Sequence, residues 1–396
     1  MLDLGVPPWQ DRRNLNSEPV AAAIKGAIEA TDTAGCLFWV SEDFADSSTI
    51  SKLEAPLICG RIQKDPNFFV ETWLADGLTY DRASAVFRPA GIASDVSVAW
   101  NLRQARCTPS VLADGTSGMR IDEAEARVVA TALLKRRLAK IHEHLPPEEP
   151  IRLLLSAHAE AGEAFIPGFG VQINWARHFS HRFAPPSVWS NRLLPALAAV
   201  LDAMRASAPG RAIAAEGRAT LAACLALGRT FREVTDIPLT WRQKPADSTW
   251  SLSGPKCDCG FACDRRDLDL ASDELAVLVS VTGDVEPAVV ATAGLPRFRA
   301  LLTVKPMDGS TRREIAEDGQ EADLARLIAG AIRETRDELR TIKRTHLFIA
   351  GPAGLAILVG QLLNAVGPVQ TYEHEQSDGV GSYRAAALLT DPIFIA

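Results

Sequence analysis

Two stretches of this 396-residue chain share a spacing suited to holding phosphate. Gly217-Arg218-Ala219-Thr220-Leu221-Ala222 and Gly351-Pro352-Ala353-Gly354-Leu355-Ala356 both read G-x-A-x-L-A. Each follows a strand-like run and opens a helical pattern. A strand that feeds a glycine turn and a helix N-terminus aims main-chain N–H groups outward at the positive end of the helix dipole. Phosphate binds such a turn without help from a basic side chain. Arg218, inside the first turn, adds a direct cationic contact. Downstream of the turns stand Trp241 and Trp250, then Tyr372 and Tyr383. Such rings offer stacking faces for bases, worth about 1–3 kcal/mol per base. Two turns of this kind bracket one cleft for a ligand with several phosphates and bases.

Other reactive residues point to less. Cys257, Cys259 and Cys263 are spaced CxC and then CxxxC, with no fourth ligand nearby. Zinc sites favour paired CxxC spacing, so this segment reads as a surface loop and no metal is expected. His142 and His144, beside Glu143 and Glu148, read as a solvated helix end. Residues 351–360 lack the GK[ST] ending of a P-loop, and no GxSxG elbow is present.

The elements that would position these residues alternate between strand and helix, the pattern of an α/β chain. Residues 36–40 read as a buried strand. Residues 19–30 before it read as a helix with Val20, Ile24 and Ile28 on one face. After it, Ser47 or Ser48 caps a helix bearing Ile50, Leu53 and Leu57, which Pro56 makes short or kinked. Residues 88–120 are rich in turn formers and read as a domain edge. A helix begins near Asp122, acidic in its first turn and basic near its end, with Val128, Leu134, Leu138 and Ile141 on one side. It reads as a connector over residues 121–149, stopped by Pro146-Pro147.

The remainder contains a diverged repeat, about 150–255 and 270–396. Residues 151–156 and 275–281 open the two copies. Each G-x-A-x-L-A helix carries a later glycine, Gly228 or Gly360. A strand follows at 238–241 or 368–372. Two related βαβ units facing one another are therefore expected.

Composition bounds the ligand class. With 42 basic and 49 acidic side chains the formal charge is −7, so the term that dominates binding to long nucleic acid is missing. A hydrophobic share of 47% and 23% charged residues exclude a disordered chain, and the length suggests two or three domains. Seven cysteines, no apolar run of roughly 18 residues and no apolar leader point to a soluble cytoplasmic protein without a membrane partner.

On the residues above, the chain after position 150 resembles the SAVED domain. The resemblance is carried by Gln172-Ile173-Asn174-Trp175-Ala176-Arg177-His178-Phe179, by Leu225-Ala226-Leu227-Gly228-Arg229-Thr230-Phe231, and by 241–250. Its most specific part is His346-Leu347-Phe348-Ile349-Ala350-Gly351-Pro352-Ala353 with Gly360, Asn364, Gly367-Pro368 and Tyr372-Glu373. SAVED domains are fused CARF-like Rossmann pairs that sense cyclic oligonucleotides in bacterial anti-phage systems. The resemblance implies a cyclic-nucleotide site at Glu216, Gly217, Arg218, Trp241, Trp250, Gly351, Pro352, Ala353, Gly354 and Tyr372. The implied activator is a cyclic tri-adenylate.

Residues 1–120 resemble a flavodoxin-like TIR domain through Trp9-Gln10-Asp11, the helix ending near Ala30, the strand at 37–40, and Ser41 and Ser48 with Glu54 on the next helix. That resemblance implies Glu54 as the catalytic carboxylate for cleaving NAD at the nicotinamide–ribose bond. Trp9, Asp11, Trp39, Phe44 and Ser48 would then line the NAD site. The sequence starts near the family's second strand, expected at about residues 2–9, which implies either a late start codon or a domain without its first strand.

The implied whole is a TIR-SAVED effector of the CBASS type, in which the ligand drives head-to-tail self-association into an oligomer or filament. Two other readings stand beside it. One is a scaffold with a non-catalytic TIR-like domain. The other is a nucleotide-modifying Rossmann enzyme using Glu373 or Glu375 beside the Gly351 turn.

Overall fold

The structure, a computed structural model, describes residues 1–6, 19–31, 33–88, 103–111, 117–161, 166–245, 247–310, 313–315, 319–377 and 380–390. Strand β1 (Gly35–Val40), β2 (Phe69–Ala75) and β3 (Arg103–Ala105) pair in parallel in that order. Strand alternation divides their side chains between two faces. Phe38, Val40, Val70 and Leu74 meet Ile28 of α1 (Val20–Glu29), Ile58 of α2 (Ala55–Lys64) and Phe87 of α3 (Tyr80–Phe87). Leu37, Trp39, Phe69 and Trp73 pack on the opposite face.

Pro56 does not shorten the helix that carries it. Ser47 accepts a hydrogen bond from the Ile50 N–H at 3.4 Å, and a π-turn over Ile50–Glu54 leads into α2. Pro56 then falls in the first turn of α2, where its missing N–H costs little. A hairpin of β4 (Cys107–Val111) and β5 (Ser117–Ile121) lies in the stretch read as a domain edge. Residues 89–102 of that stretch lie outside those described.

Helix α4 (Glu123–His144) occupies the stretch read as the connector. Asp122 caps it by accepting from the Ala124 and Glu125 N–H groups at 2.9 and 3.3 Å. At its other end Arg211, 5% exposed, donates to the carbonyl oxygens of His142, Leu145, Pro146 and Glu149 and to His142 Nδ1. A buried cation thus satisfies the negative end of the helix. His142 is half-buried under Arg211, not solvated; His144 is exposed. Val129 and Leu133 join the front sheet, whereas Leu134 and Leu138 join the core behind it. Val128, expected on the apolar side, is 49% exposed.

Residues Leu2–Leu4 form a 3₁₀ turn, not a strand of the front sheet. The turn packs on the sheet behind. Trp175 Nε1 donates to the Asp3 carbonyl at 3.1 Å, and the Gln172 N–H donates to the Gly5 carbonyl at 2.9 Å. The Asp3 carboxylate meets Arg177 and His178, each at 3.0 Å, and these contacts hold it below the usual range against the opposing pull of burial.

The rest of the chain forms two sheets of one design. The first contains β6 (Ile151–Ala157), β7 (Val171–Asn174), β8 (Ile213–Ala219), β9 (Leu239–Gln243) and β10 (Ser248–Trp250), in the order β10-β9-β8-β6-β7. The second contains β11 (Phe261–Asp267), β12 (Glu274–Ser280), β13 (Ala300–Pro306), β14 (Arg344–Ala350), β15 (Val369–Ser377) and β16 (Val380–Leu389), in the order β11-β13-β12-β14-β15-β16.

Apart from the added edge strand β11, the two orders superpose. In each, the opening strand lies between the second and third, the fourth pairs in parallel with the third, and an antiparallel fifth closes the edge. Helix α5 (Leu194–Ser207) precedes β8, and α6 (Leu221–Thr230) precedes β9. Short α7 (Glu286–Ala291) precedes β13. Helices α8 (Gln320–Glu338) and α9 (Ala353–Leu362) precede β14 and β15. The repeat read from turns and glycines is thus also a repeat of topology.

Candidate functional site

The two units meet where α6 crosses α9. A methyl group on Gly228 would stand 2.1 Å from the Ile357 carbonyl oxygen. One on Gly360 would stand 2.5 Å from that of Leu225 and 3.1 Å from Gly228 Cα. The repeated glycines therefore let two helix backbones touch. They are adjacent across the crossing because they hold equivalent places in the two units.

At this crossing each unit caps the other's helix. The Ala222 N–H of α6 donates to Glu373 Oε1 of β15 at 2.7 Å. The Gly354 N–H of α9 donates to Gln243 Oε1 of β9 at 3.0 Å. Glu373 and Gln243 lie on corresponding strands, so the exchange is reciprocal and follows the pseudo-symmetry. The Thr220 hydroxyl adds a local cap to α6, accepting from the Ala223 N–H at 3.4 Å. Pro352 precedes α9 and brings no capping side chain. Burial pushes the Glu373 carboxyl up to about 7, against the Ala222 N–H, the Thr220 hydroxyl and the Arg182 charge, which all favour the anion.

A basic cluster lies at the same strand ends. His158 follows β6, and Arg218 stands near the end of β8. Arg182 and His181 come from the loop after β7; Ala159 N–H donates to the His181 carbonyl at 3.2 Å. His158 is held below its ordinary range by burial and then by Arg218, with Arg182 and His181 acting in the same direction and Glu160 opposing. Arg384 of β16 lies 5.1 Å from the Phe183 ring centre. An anion arriving here meets cations from both units.

The residues expected at the site divide. Gly217, Arg218, Gly351, Pro352, Ala353 and Gly354 lie at the strand ends and helix starts. Gly217 has φ +152°, and a Cβ there would come within 2.0 Å of the Leu155 carbonyl oxygen. Its need for glycine comes from the close approach of β6. Arg218 is exposed and ion-paired with Glu160. Glu216 is paired with Arg152 at 2.9 Å and Lys244 at 3.3 Å. It lines a shallow pocket of about 200 Å³ with Thr240, Arg242 and Thr249.

The aromatic residues are not platforms, which corrects the sequence expectation. Trp241 is 2% exposed and Trp250, Tyr372 and Tyr383 are 6–7% exposed. Trp250 lies against Gly354, where a Cβ would come within 2.4 Å of its ring. Tyr372 stacks on Phe348 at 4.2 Å and meets His346 Nδ1 at 2.7 Å; His346 Nε2 meets Glu274 at 2.9 Å. Tyr383 packs edge-on to Phe348. Glu373, expected beside the Gly351 turn, instead serves the start of α6. The sequence reading missed His158, His181, Arg182 and Arg384. They were scattered single basic residues until the fold assembled them.

In the front layer, Glu54 ends the π-turn and is half-buried. Burial, helped by the Glu54 charge, pushes the Cys36 thiol up to about 12, which places this carboxylate close to β1. Trp39 packs with Trp73, Val129 and Leu133 on one face of the sheet. Phe44 packs on the other, 5.5 Å from Phe38 and 6.0 Å from Phe87. The two rings therefore do not line one pocket. Ser48 is exposed. Trp9 and Asp11 lie outside the described residues.

Cys257, Cys259 and Cys263 are free thiols in and beside the segment joining the two sheets. Among the described residues no group of three or more His, Cys, Asp or Glu side chains is placed to hold a metal ion. No helix there is long and apolar enough to cross a membrane.

Residues 195–389 match the family model of the SAVED domain, the SMODS-associated and fused to various effectors sensor domain. The match begins at α5 and ends with β16. The fold resembles the Acinetobacter baumannii Cap4 SAVED/CARF-domain containing receptor, with TM-score 0.50 and 13% identity over 94% of this chain and 97% of that one. The same receptor with the cyclic trinucleotide 2'3'3'-cAAA gives TM-score 0.53 and 12% identity at the same coverages. No curated protein matches the chain.

Proposed function

We propose that this chain, whose residues 195–389 form a SAVED domain, is a cyclic-oligonucleotide-activated effector of anti-phage signalling of the CBASS type. The observation that carries this reading is the basic cluster beside the α6–α9 crossing, to which both units contribute. Two units of one topology there present cations from both sides, which suits an anion with repeated phosphates. The fold shared with a receptor solved with a cyclic trinucleotide supports a ring of that size, cyclic tri-adenylate.

The output lies in the front layer, as an NAD⁺ glycohydrolase with Glu54 as its carboxylate. Nicotinamide leaves from a cation, so no strong acid is needed. A carboxylate near the ribose holds its hydroxyls and stabilises oxocarbenium charge as it develops. Ligand in the sensor drives head-to-tail association, which completes the site between copies. The separation of Trp39 and Phe44 on opposite sheet faces favours a second reading, in which the front layer only mediates contacts.

The test is calorimetry with cyclic di-, tri- and tetra-adenylates, alongside light scattering and nicotinamide release. The cyclic trinucleotide is expected to bind, raise the mass and start release. Glu54→Gln is expected to reduce release by roughly a hundredfold or more while binding persists. Binding and assembly without release establish the scaffold reading. A chain that binds none of the rings overturns the sensor reading.

A further inference from the structure

The two caps at the crossing differ in charge. Gln243 gives α9 a neutral amide oxygen; Glu373, only 5% exposed, gives α6 a carboxyl group. The first half-site therefore already contains an acid where the helix start favours an anion.

We propose that the sensor takes up a proton on Glu373 as it binds its anionic ligand, so that binding and protonation are coupled. This rests on the ligand site assigned above.

The groups facing Glu373 come from three elements. Helix α6 contributes the Ala222 N–H, the Thr220 hydroxyl and the Cys224 thiol, which burial and the Glu373 charge push up. Strand β16 contributes Tyr383, pushed up by burial and then by Glu373, and Arg384, which is paired across the ladder with Glu373. The loop after β7 contributes Arg182, whose charge acts on both Glu373 and His158.

Arg182 thus joins the buried acid to the basic cluster that would receive phosphate. A phosphate there draws on the same positive charge that supports the Glu373 anion and adds a like charge beside it. Two neighbouring anions in a low-dielectric site raise the proton affinity of whichever can be protonated. Phosphodiesters do not protonate near neutrality, so the proton goes from solvent buffer to the Glu373 carboxyl. Burial already places that carboxyl near neutrality, where uptake occurs at working pH.

The sign follows from linkage. Ligand favours the protonated acid, so affinity is greatest below the carboxyl's value of about 7 and weakens as pH rises through it. With 2'3'3'-cAAA as probe, calorimetry at pH 7 in two buffers of different ionisation enthalpy is expected to show uptake of about half a proton. Above that pH the Kd weakens by up to about tenfold per pH unit. Glu373→Gln is expected to lose the uptake and bind at every pH about as tightly as the unaltered chain does at low pH.

Retained uptake in Glu373→Gln, lost instead in His158→Gln, overturns the proposal by assigning the proton to histidine. Binding without any uptake overturns it too and leaves the ligand site intact. Failure of the unaltered chain to bind at any pH overturns the site itself. Ligand-induced infrared difference spectra of the unaltered chain need no variant. Conversion of a carboxylate band to a protonated carboxyl band supports the proposal, and an unchanged carboxyl region refutes it.

Discussion

Gly360→Ala is expected to destabilise the chain by more than about 3 kcal/mol, the upper end of overpacking costs. The added methyl would lie 2.5 Å from the Leu225 carbonyl oxygen and 2.9 Å from the Arg229 nitrogen, both backbone atoms of α6. No rotamer change relieves such a contact; the helices must part. Parting them pulls the Ala222 N–H from Glu373 and the Gly354 N–H from Gln243, because both caps span the crossing.

The better helix propensity of alanine, up to about 1 kcal/mol, offsets only part of this. Gly228→Ala should behave alike, since its methyl meets the Ile357 carbonyl oxygen at 2.1 Å. The double variant should cost less than the sum, because one separation accommodates both methyl groups. Gly330→Ala in α8 is the control. Nothing lies within 4 Å of its Cβ, so it should be neutral or slightly stabilising. Urea unfolding of the four variants tests this, and a loss below about 1 kcal/mol in Gly360→Ala would refute the crossing as described.

What the sequence made legible was the repeat, because equivalent residues in duplicated units recur at similar offsets. Gly228 and Gly360 carried that signal, as did the strand preceding each G-x-A-x-L-A turn. The reason for each glycine was harder to read. A glycine needed for helix contact and one needed for phosphate approach look the same in one dimension. Gly217 appeared to be a binding glycine, yet it is required by β6.

The aromatics failed for a related reason. Strand periodicity shows that Trp241 and Tyr372 alternate with polar neighbours, but not which faces other elements cover. In the second unit, Tyr372 and Tyr383 pack with Val285, Ala288 and Val289, from and beside α7. Trp39 and Phe44 were grouped by the TIR resemblance, whereas strand parity sends the first to one face and the chain turn brings the second to the other. Glu373 was placed beside the Gly351 turn, because its partner Ala222 lies 151 residues away in the other unit.

Arg136→Met should cost about 3 kcal/mol, with the loss falling on the junction between front layer and sensor. Arg136 on α4 meets Glu71 of β2 at 2.9 Å. Glu71 is 1% exposed in the middle of the sheet, while the Arg136 side chain retains 34% exposure. Removing the cation leaves a buried carboxylate that must either stay charged without it or take up a proton, and both are costly. The expected loss is at the low end for buried pairs because water already reaches the guanidinium. Arg136→Met with Glu71→Leu should recover most of the stability, since an apolar pair avoids the charge burial. Recovery would show that the cost came from the buried acid, not from the lost contact of the guanidinium carbon over Phe69, 5.9 Å from its ring centre. A double variant no better than Arg136→Met would assign it to packing. Leu134 and Leu138 keep α4 in the sensor core on its other side. The thermal shift caused by a bound cyclic nucleotide should therefore survive in Arg136→Met, even as the front layer unfolds earlier. Its loss would mean that the front sheet and the sensor fold as one cooperative unit.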